Sequence, residues 1–478
     1  MHTPPTQDLK RFEELGRTIL AMIREHLTKV QDEPETLKVL PHISPHAMLE
    51  RWPAEFREPV DAEQLLAKVV EWSHHLHHPH YVGHQVTAPI PESALFAMVS
   101  AFLNNGSAVY EMGPVAIAME RQALRWMAAR VGYSPGADGI LTSGGSVGNL
   151  TALLAARQAK AGFDVWRHGL GAGPPLALLV SDQAHYCVKR AAQIMGLGED
   201  GVIVVPSDDR YRLRVESLPA ALKAARARGR HVFAVVGSAC STPTGAIDPL
   251  DAIADFAERE GLWFHVDGAH GASFVLAPSR KVQLKGIERA DSLVWDAHKM
   301  LLMPALLTAV LFKDARHSYE AFAQHASYLF LGDERPEDNW YDVGRRTLEC
   351  TKLMLGFSLY ACLATKGEAF FTNYLEGRLQ LAEAFARRLE QHPRFELAVF
   401  PDANILCFRL RTNDPAKTQA LQSKLRQALV AQENFYLVQT DLRGETYLRT
   451  TLISPQTRLE HLERLMDELL RLADSLEL

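Results

Sequence analysis

The stretch Asp291-Ser-Leu-Val-Trp-Asp296-Ala-His298-Lys299-Met-Leu-Leu302 decides how this chain is to be read, because an apolar run ends abruptly in Asp, His and Lys. That is the pattern of a buried strand opening onto a site. A lysine at the end of such a strand is costly to keep charged. Burial is expected to pull its pKa below the free value of roughly 10.4 and leave an amine able to form a Schiff base. A solvated lysine at a strand end is the ordinary alternative.

Working outward, short β-rich runs alternate with helical stretches between Gly139 and Asp314. This order predicts an α/β fold with a mostly parallel sheet covered on both faces. The expected strands are Gly139 to Thr142, Leu176 to Ser181, Val202 to Val205, His231 to Gly237, Leu262 to Asp267, Ser292 to Asp296 and Leu306 to Phe312. In such a sheet ligands bind beyond the carboxyl ends of the strands, so the residues just past those ends carry the chemistry.

After the first strand comes Thr142-Ser-Gly144-Gly145-Ser146-Val-Gly148-Asn149, opening a helix. Small residues there let backbone N–H groups approach an anion, and the helix N-terminus favours negative charge. The turn is neither GxGxxG nor a P-loop, and a tight strand-to-helix turn is its plain alternative. The second strand leads to Ser181-Asp-Gln-Ala-His185, the fourth to Ser238-Ala-Cys240-Ser241-Thr242, the fifth to Asp267-Gly-Ala-His270 and the sixth to His298-Lys299. A phosphate turn, a ring-sized histidine, hydroxyls, a carboxylate and an amine thus converge on one edge.

These are the groups pyridoxal phosphate needs. Lys299 would carry the imine link, the Gly144-Gly145-Ser146 turn and His298 the phosphate, and Asp267 would face the pyridine nitrogen and keep it protonated. His185 would lie on the ring, with Thr242 hydrogen-bonding near it. Taken singly, Asp267 could instead cap the following turn, His185 could be a helix histidine and Thr242 ordinary turn chemistry.

The chain resembles the group II pyridoxal-phosphate decarboxylases, the family of aromatic amino acid, glutamate, cysteine sulfinate and diaminobutyrate decarboxylases. The resemblance runs from about His78 to Tyr360. It rests on Thr142-Ser-Gly-Gly-Ser146 with Asn149-Leu-Thr-Ala-Leu-Leu, Ser181-Asp-Gln-Ala-His185, Thr242 with Gly245-Ala-Ile-Asp248-Pro, His265-Val-Asp267 and Asp296-Ala-His298-Lys299. It implies a type I aminotransferase-like fold and a homodimer with active sites at the subunit interface. By motif position it places phosphate binding on Gly145 and Ser146, ring stacking on His185, ring contacts on Thr242 and Asp267, Asp296 and His298 near the phosphate, and the imine on Lys299. The implied reaction removes the α-carboxylate of an L-amino acid as carbon dioxide and leaves the amine. Decarboxylation-linked oxidative deamination or transamination, or a non-catalytic binding dimer, are the alternatives.

The chain also departs from the family pattern. Cys240 and Ser241 stand where glycine and threonine are usual, and Ala297 where proline is common. In many relatives a mobile loop corresponding to Tyr328–Cys350 carries a tyrosine that protonates the carbon vacated by carbon dioxide. The nearest position here is close to Pro336 or Glu337. The candidate proton donors are His185, Tyr328, Glu337 and Tyr341. Tyr341 is preferred because it follows the charged run Asp333 to Asn339, with an aromatic loop anchor as its plain role.

Other features bound the reading. The sequence divides into an N-terminal helical segment (1–70), a large cofactor domain (71–365) and a small α/β domain (366–478). Apolar residues at three- and four-residue spacing from Leu9 to Val30 predict an amphipathic helix that packs on a second subunit or on its own chain. His74-His-Leu-His-His-Pro-His80-Tyr-Val-Gly-His84 resembles a metal site at first sight. It contains no Cys, Asp or Glu and a His-Pro step breaks it, so no metal is expected. Tyr81, His84 and Gln85 are read instead as substrate contacts at a pocket mouth, and Arg449 as a partner for a substrate carboxylate or a structural arginine. A formal charge of −6 argues against a nucleic-acid partner. No apolar run spans a bilayer, the N-terminus lacks the order of a secretory signal and the five cysteines form no CxxC pair, so a soluble cytoplasmic protein is expected.

Overall fold

The structure is a computed structural model and describes residues 9–56, 58–322 and 340–476. Seven strands form one sheet: β1 (Asp138–Thr142), β2 (Leu176–Ser181), β3 (Val202–Val205), β4 (His231–Ser238), β5 (Trp263–Asp267), β6 (Ser292–Asp296) and β7 (Thr308–Phe312). Their order across the sheet is β1-β7-β6-β5-β4-β2-β3. The neighbours from β3 to β6 pair in parallel, while β7 runs antiparallel to both β6 and β1. β1 therefore points the same way as β6, and the carboxyl ends of β1, β2, β4, β5 and β6 share one edge.

These strands fall on the seven runs expected from the sequence. The clearest shift is at β7, which starts at Thr308 rather than Leu306. The Leu307 N–H donates to His298 Nδ1 at 3.1 Å, so this amide serves the site and not the ladder.

Alternation along the strands explains the two covered faces. Leu178, Val180, Ala234, Val236, Val294 and Val310 are buried in one cluster with Ala152, Leu153 and Ala156 of the helix Gly145–Lys160. Gly237, next to Val236, faces the other way. A Cβ there would meet Leu250 and Ile253 of the helix Leu250–Glu260 at 3.1 and 3.3 Å. Full burial of each Leu, Val or Phe in such layers contributes roughly 1.5–3 kcal/mol, which is what fixes the sheet edge in place.

By its contacts the chain groups into two units, one of Met1–His84, Ala384–Ala398 and Cys407–Leu478, the other of Gln85–Glu383 and Val399–Leu406. This grouping differs from a division at residues 70 and 365. The reason is hydrogen bonding across the length of the chain: the Val39 N–H donates to Glu433 O, the Val82 N–H to Tyr436 O and the Thr451 N–H to Val82 O, at 2.8, 3.0 and 2.8 Å.

A second sheet consists of β8 (Phe395–Leu397), β9 (Ile405–Leu410), β10 (Val438–Leu442) and β11 (Glu445–Thr451), in the order β10-β11-β9-β8. β10 and β11 are joined by Arg443-Gly444, whose φ values of 56° and 84° suit a two-residue hairpin turn. Leu462, Leu465, Leu469 and Leu472 give the last helix, Leu459–Ser475, one buried stripe. The first helix, Leu9–Asp32, is different. It meets the helix Ala62–Trp72 of its own chain, with Thr18 Oγ1 3.2 Å from Glu63 Oε1, yet Leu9, Phe12, Leu20 and Ile23 remain exposed. No helix among the described residues is long and apolar enough to cross a membrane.

Candidate active site

At the carboxyl edge of the large sheet lies a cavity of about 270 Å³. It brings together all nine residues assigned to the cofactor from the sequence: Gly144, Gly145, Ser146, His185, Thr242, Asp267, Asp296, His298 and Lys299.

β1 delivers the turn at one end. Gly144 precedes the helix Gly145–Lys160 with φ 111°, a conformation that favours glycine, and no side chain caps the helix start. The first-turn N–H groups therefore remain available to an anion. Gly145 cannot carry a side chain freely, because a Cβ would lie 3.1 Å from both carboxylate oxygens of Asp296. Its amide can thus approach the cavity more closely than any larger residue would allow.

β6 delivers Asp296, His298 and Lys299. Asp296 Oδ1 accepts from Thr308 Oγ1 at 2.6 Å, and Oδ2 lies 2.9 Å from Lys299 Nζ and 3.6 Å from His298 Nε2. Burial presses the Lys299 pKa down, as the sequence predicts, but Asp296 and then Asp267 outweigh it. The ammonium is held above its ordinary value, a correction to the expectation that burial alone would free the amine.

β5 and the loop after β2 supply the ring-sized space. The Ala269 N–H donates to Asp267 Oδ1 at 3.2 Å, so the carboxylate does cap its turn, while Cys187 Sγ stands 4.0 Å from Oδ2. Capping occupies one oxygen and leaves Asp267 lining the cavity. His185 begins the helix Tyr186–Ile194, and its Nδ1 accepts from the Cys187 N–H at 3.3 Å. Burial, partly offset by Asp267, holds the His185 ring below the usual histidine value, which keeps it neutral near pH 7. An uncapped helix start, an amine, a carboxylate and a neutral imidazole in one cavity fit a planar, phosphate-bearing aldehyde such as pyridoxal phosphate.

Tyr81, His84, Gln85 and Arg449 do not line the cavity. Tyr81 is buried and stacked on Tyr436 at 5.6 Å. Tyr341 does not line it either. It meets Tyr110 edge-on at 5.6 Å and packs against the hydrophobic cluster of the large sheet. Tyr328 and Glu337 fall outside the described residues. The histidine run is engaged in packing: His74 lies edge-on to Tyr436 at 4.4 Å, His78 Nε2 meets Pro34 O and His80 Nδ1 meets Asn434 O, each at 3.0 Å. Among the described residues no group of three or more His, Cys, Asp or Glu is placed to hold a metal ion.

Sequence reasoning gave no role to Asn149, Cys187, His270 and Leu306, which also line the cavity. Cys187 sits two residues past His185, the one signal the sequence carries for it, whereas Asn149 stands in the motif that opens the helix, without a role assigned to its side chain.

The family model described as "Pyridoxal-dependent decarboxylase conserved domain" matches residues 46–411. The chain is 33% identical over 354 residues to the cysteine sulfinic acid decarboxylase of Mus musculus, covering 72% of this chain and 70% of that one. It is 30% identical over 483 residues to the acidic amino acid decarboxylase GADL1 of Homo sapiens, covering 97% and 92%. The crystal structure of mouse CSAD superposes with a TM-score of 0.90 at 26% identity, covering 98% of this chain and 99% of that chain.

Proposed function

The chain belongs to the pyridoxal-dependent decarboxylases, and on that membership we propose that its substrate is an L-amino acid with an acidic side chain, whose α-carboxylate is the group removed. The protein binds pyridoxal phosphate and converts an amino acid to the amine and carbon dioxide. The acidic side chain is supported by the names of two relatives that align over most of their lengths.

In this reading the residues divide the work. Pyridoxal phosphate supplies an electron-accepting ring. Lys299 would hold the cofactor through Nζ, the Gly144–Ser146 turn and His298 would hold its phosphate, and Asp267 would keep a proton on the ring nitrogen. His185, neutral and at the cavity wall, would pack against the ring, with Thr242 as a further ring contact. The observation that carries the assignment is the shared cavity of Lys299, Asp267 and the uncapped turn at Gly144.

We also read the protein as a homodimer of a reducing cytoplasm. Phe12 is 69% exposed, and Met98, Phe102, Met112 and Val115 are exposed in the other unit, apolar side chains that a second copy would cover. Tyr341, absent from its own chain's cavity, then acts as proton donor in the site of a second copy. Among the described residues no disulfide joins any of the five cysteines.

The test is product analysis by mass spectrometry with cysteine sulfinate, aspartate, glutamate, aromatic amino acids and diaminobutyrate. Amine from an acidic substrate supports the reading. Amine from aromatic or basic substrates alone overturns the substrate class, and an aldehyde with ammonia in place of the amine overturns the reaction.

A further inference from the structure

From Asn149 in the cavity wall, four buried side chains form one directed hydrogen-bond chain away from the cavity. Trp263 and His265 are on β5, Ser292 opens β6, and Asn149 is on the helix Gly145–Lys160; none is more than 1% exposed. Trp263 Nε1 donates to Ser292 Oγ at 2.8 Å, and Ser292 Oγ lies 2.8 Å from His265 Nδ1. His265 Nε2 lies 2.8 Å from Asn149 Oδ1. Asn149 Nδ2 in turn donates to Gly145 O at 3.0 Å and to Cys187 Sγ at 3.4 Å.

The donors fix the direction of every bond. Asn149 uses its amide protons on Gly145 and Cys187, so its Oδ1 must accept and His265 Nε2 must carry a proton. Ser292 accepts from the indole, which leaves its own hydroxyl proton for His265 Nδ1. A neutral His265 is the form that completes the chain, since an imidazolium would have two donors and leave Ser292 without a place for its proton. Burial supports that form by holding the His265 pKa down to about 4.

The chain ends at Gly145, the residue that must lie close to the Asp296 carboxylate. Asp296 thus leaves Gly145 no room for a side chain, while Asn149 holds its carbonyl. We propose that Asn149 and His265 are positioning residues for the phosphate end of the cofactor, with Ser292 and Trp263 orienting His265. This role rests on the assignment of the Gly144–Ser146 turn to the phosphate. Such a network is worth most when every member is satisfied, so the loss of a remote member is felt at the turn.

The test titrates apo-protein with pyridoxal phosphate and, separately, with pyridoxal, which has the same aldehyde and no phosphate. Visible absorbance of the Lys299 adduct reads both affinities. In His265→Phe the preference for the phosphorylated form is expected to fall roughly tenfold, and in Ser292→Ala severalfold, with pyridoxal affinity unchanged. Ser292 does not line the cavity, so its variant also decides the matter if His265→Phe fails to fold. An unchanged preference, or an equal loss of both affinities, overturns the proposal and returns the network to packing. A wild-type protein that captures both compounds with no preference overturns the phosphate assignment itself, and a wild type that captures neither overturns the cofactor reading.

Discussion

Lys299 Nζ and Asp296 Oδ2 are 2.9 Å apart, and the pair sits beside the turn whose Gly145 has room only for hydrogen against the same carboxylate. Asp296 thus sets the charge of the amine and the shape of the turn at once. In apo-protein the amine must lose a proton before it can attack an aldehyde. Asp296→Asn removes the carboxylate that contributes most to raising the Lys299 pKa and leaves burial opposed chiefly by the more weakly acting Asp267. The pH profile for capture of pyridoxal should then move to lower pH, with capture at neutral pH faster by about tenfold for every pH unit the profile moves. Stopped-flow absorbance measures it, and an unmoved profile would show that Asp296 does not control the amine.

Asp267 gives a second prediction. Asp267→Asn should retain most cofactor binding, because the phosphate turn and Lys299 are untouched. Turnover should fall about a hundredfold or more, roughly 2.7 kcal/mol, if the carboxylate keeps the ring nitrogen protonated. Steady-state kinetics at saturating cofactor decide it. Normal turnover would reduce Asp267 to the cap of Ala269.

Subunit exchange tests the role of Tyr341. Light scattering should give the mass of a dimer. Mixing Lys299→Ala subunits with Tyr341→Phe subunits should restore part of the activity that each variant lacks alone, since one of the two sites in the mixed dimer keeps both side chains. A monomer, or no restoration in a mixture shown to exchange, contradicts composite sites.

The first unit predicts an acid limb in stability. Burial lowers His26, His74 and His80 from the ordinary value of 6.5 to about 4. Between those values the unfolded chain binds more protons than the folded one, so stability is fully present above about pH 6.5 and is lost as pH falls towards 4. His74 is the cleanest probe. Its Nε2 is buried with no hydrogen-bond partner among the described residues, and its ring lies edge-on to Tyr81 and Tyr436. Urea midpoints of His74→Phe should match wild type near pH 7.5 and fall less steeply below 6.5. A parallel decline would place the proton uptake elsewhere.

How much of this was legible in the sequence depends on how local the cause is. Strand ends were legible because each closes an apolar run, and the sheet places such ends on one edge; Asp267, His185 and Lys299 came from that rule alone. Pairwise terms were not legible. The rise in the Lys299 pKa needs the 2.9 Å to Asp296, three residues away on a turn whose geometry no spacing rule supplies. Asn149 stood in a recognised motif, yet its meaning comes from His265, 116 positions on and brought to it by β5. Tyr341 follows a charged run, but the ring it meets is Tyr110, more than two hundred positions earlier in the sequence.

Every role assigned around the cavity depends on Lys299 carrying the cofactor, and borohydride reduction followed by peptide mapping reads that bond itself. Reduction of the yellow protein should fix one pyridoxal phosphate per chain, with the added mass on the peptide containing Lys299. Lys299→Ala should fold and bind the cofactor without covalent retention. Label on another lysine, or a protein that stays colourless and unlabelled in excess cofactor, would refute the assignment of Lys299.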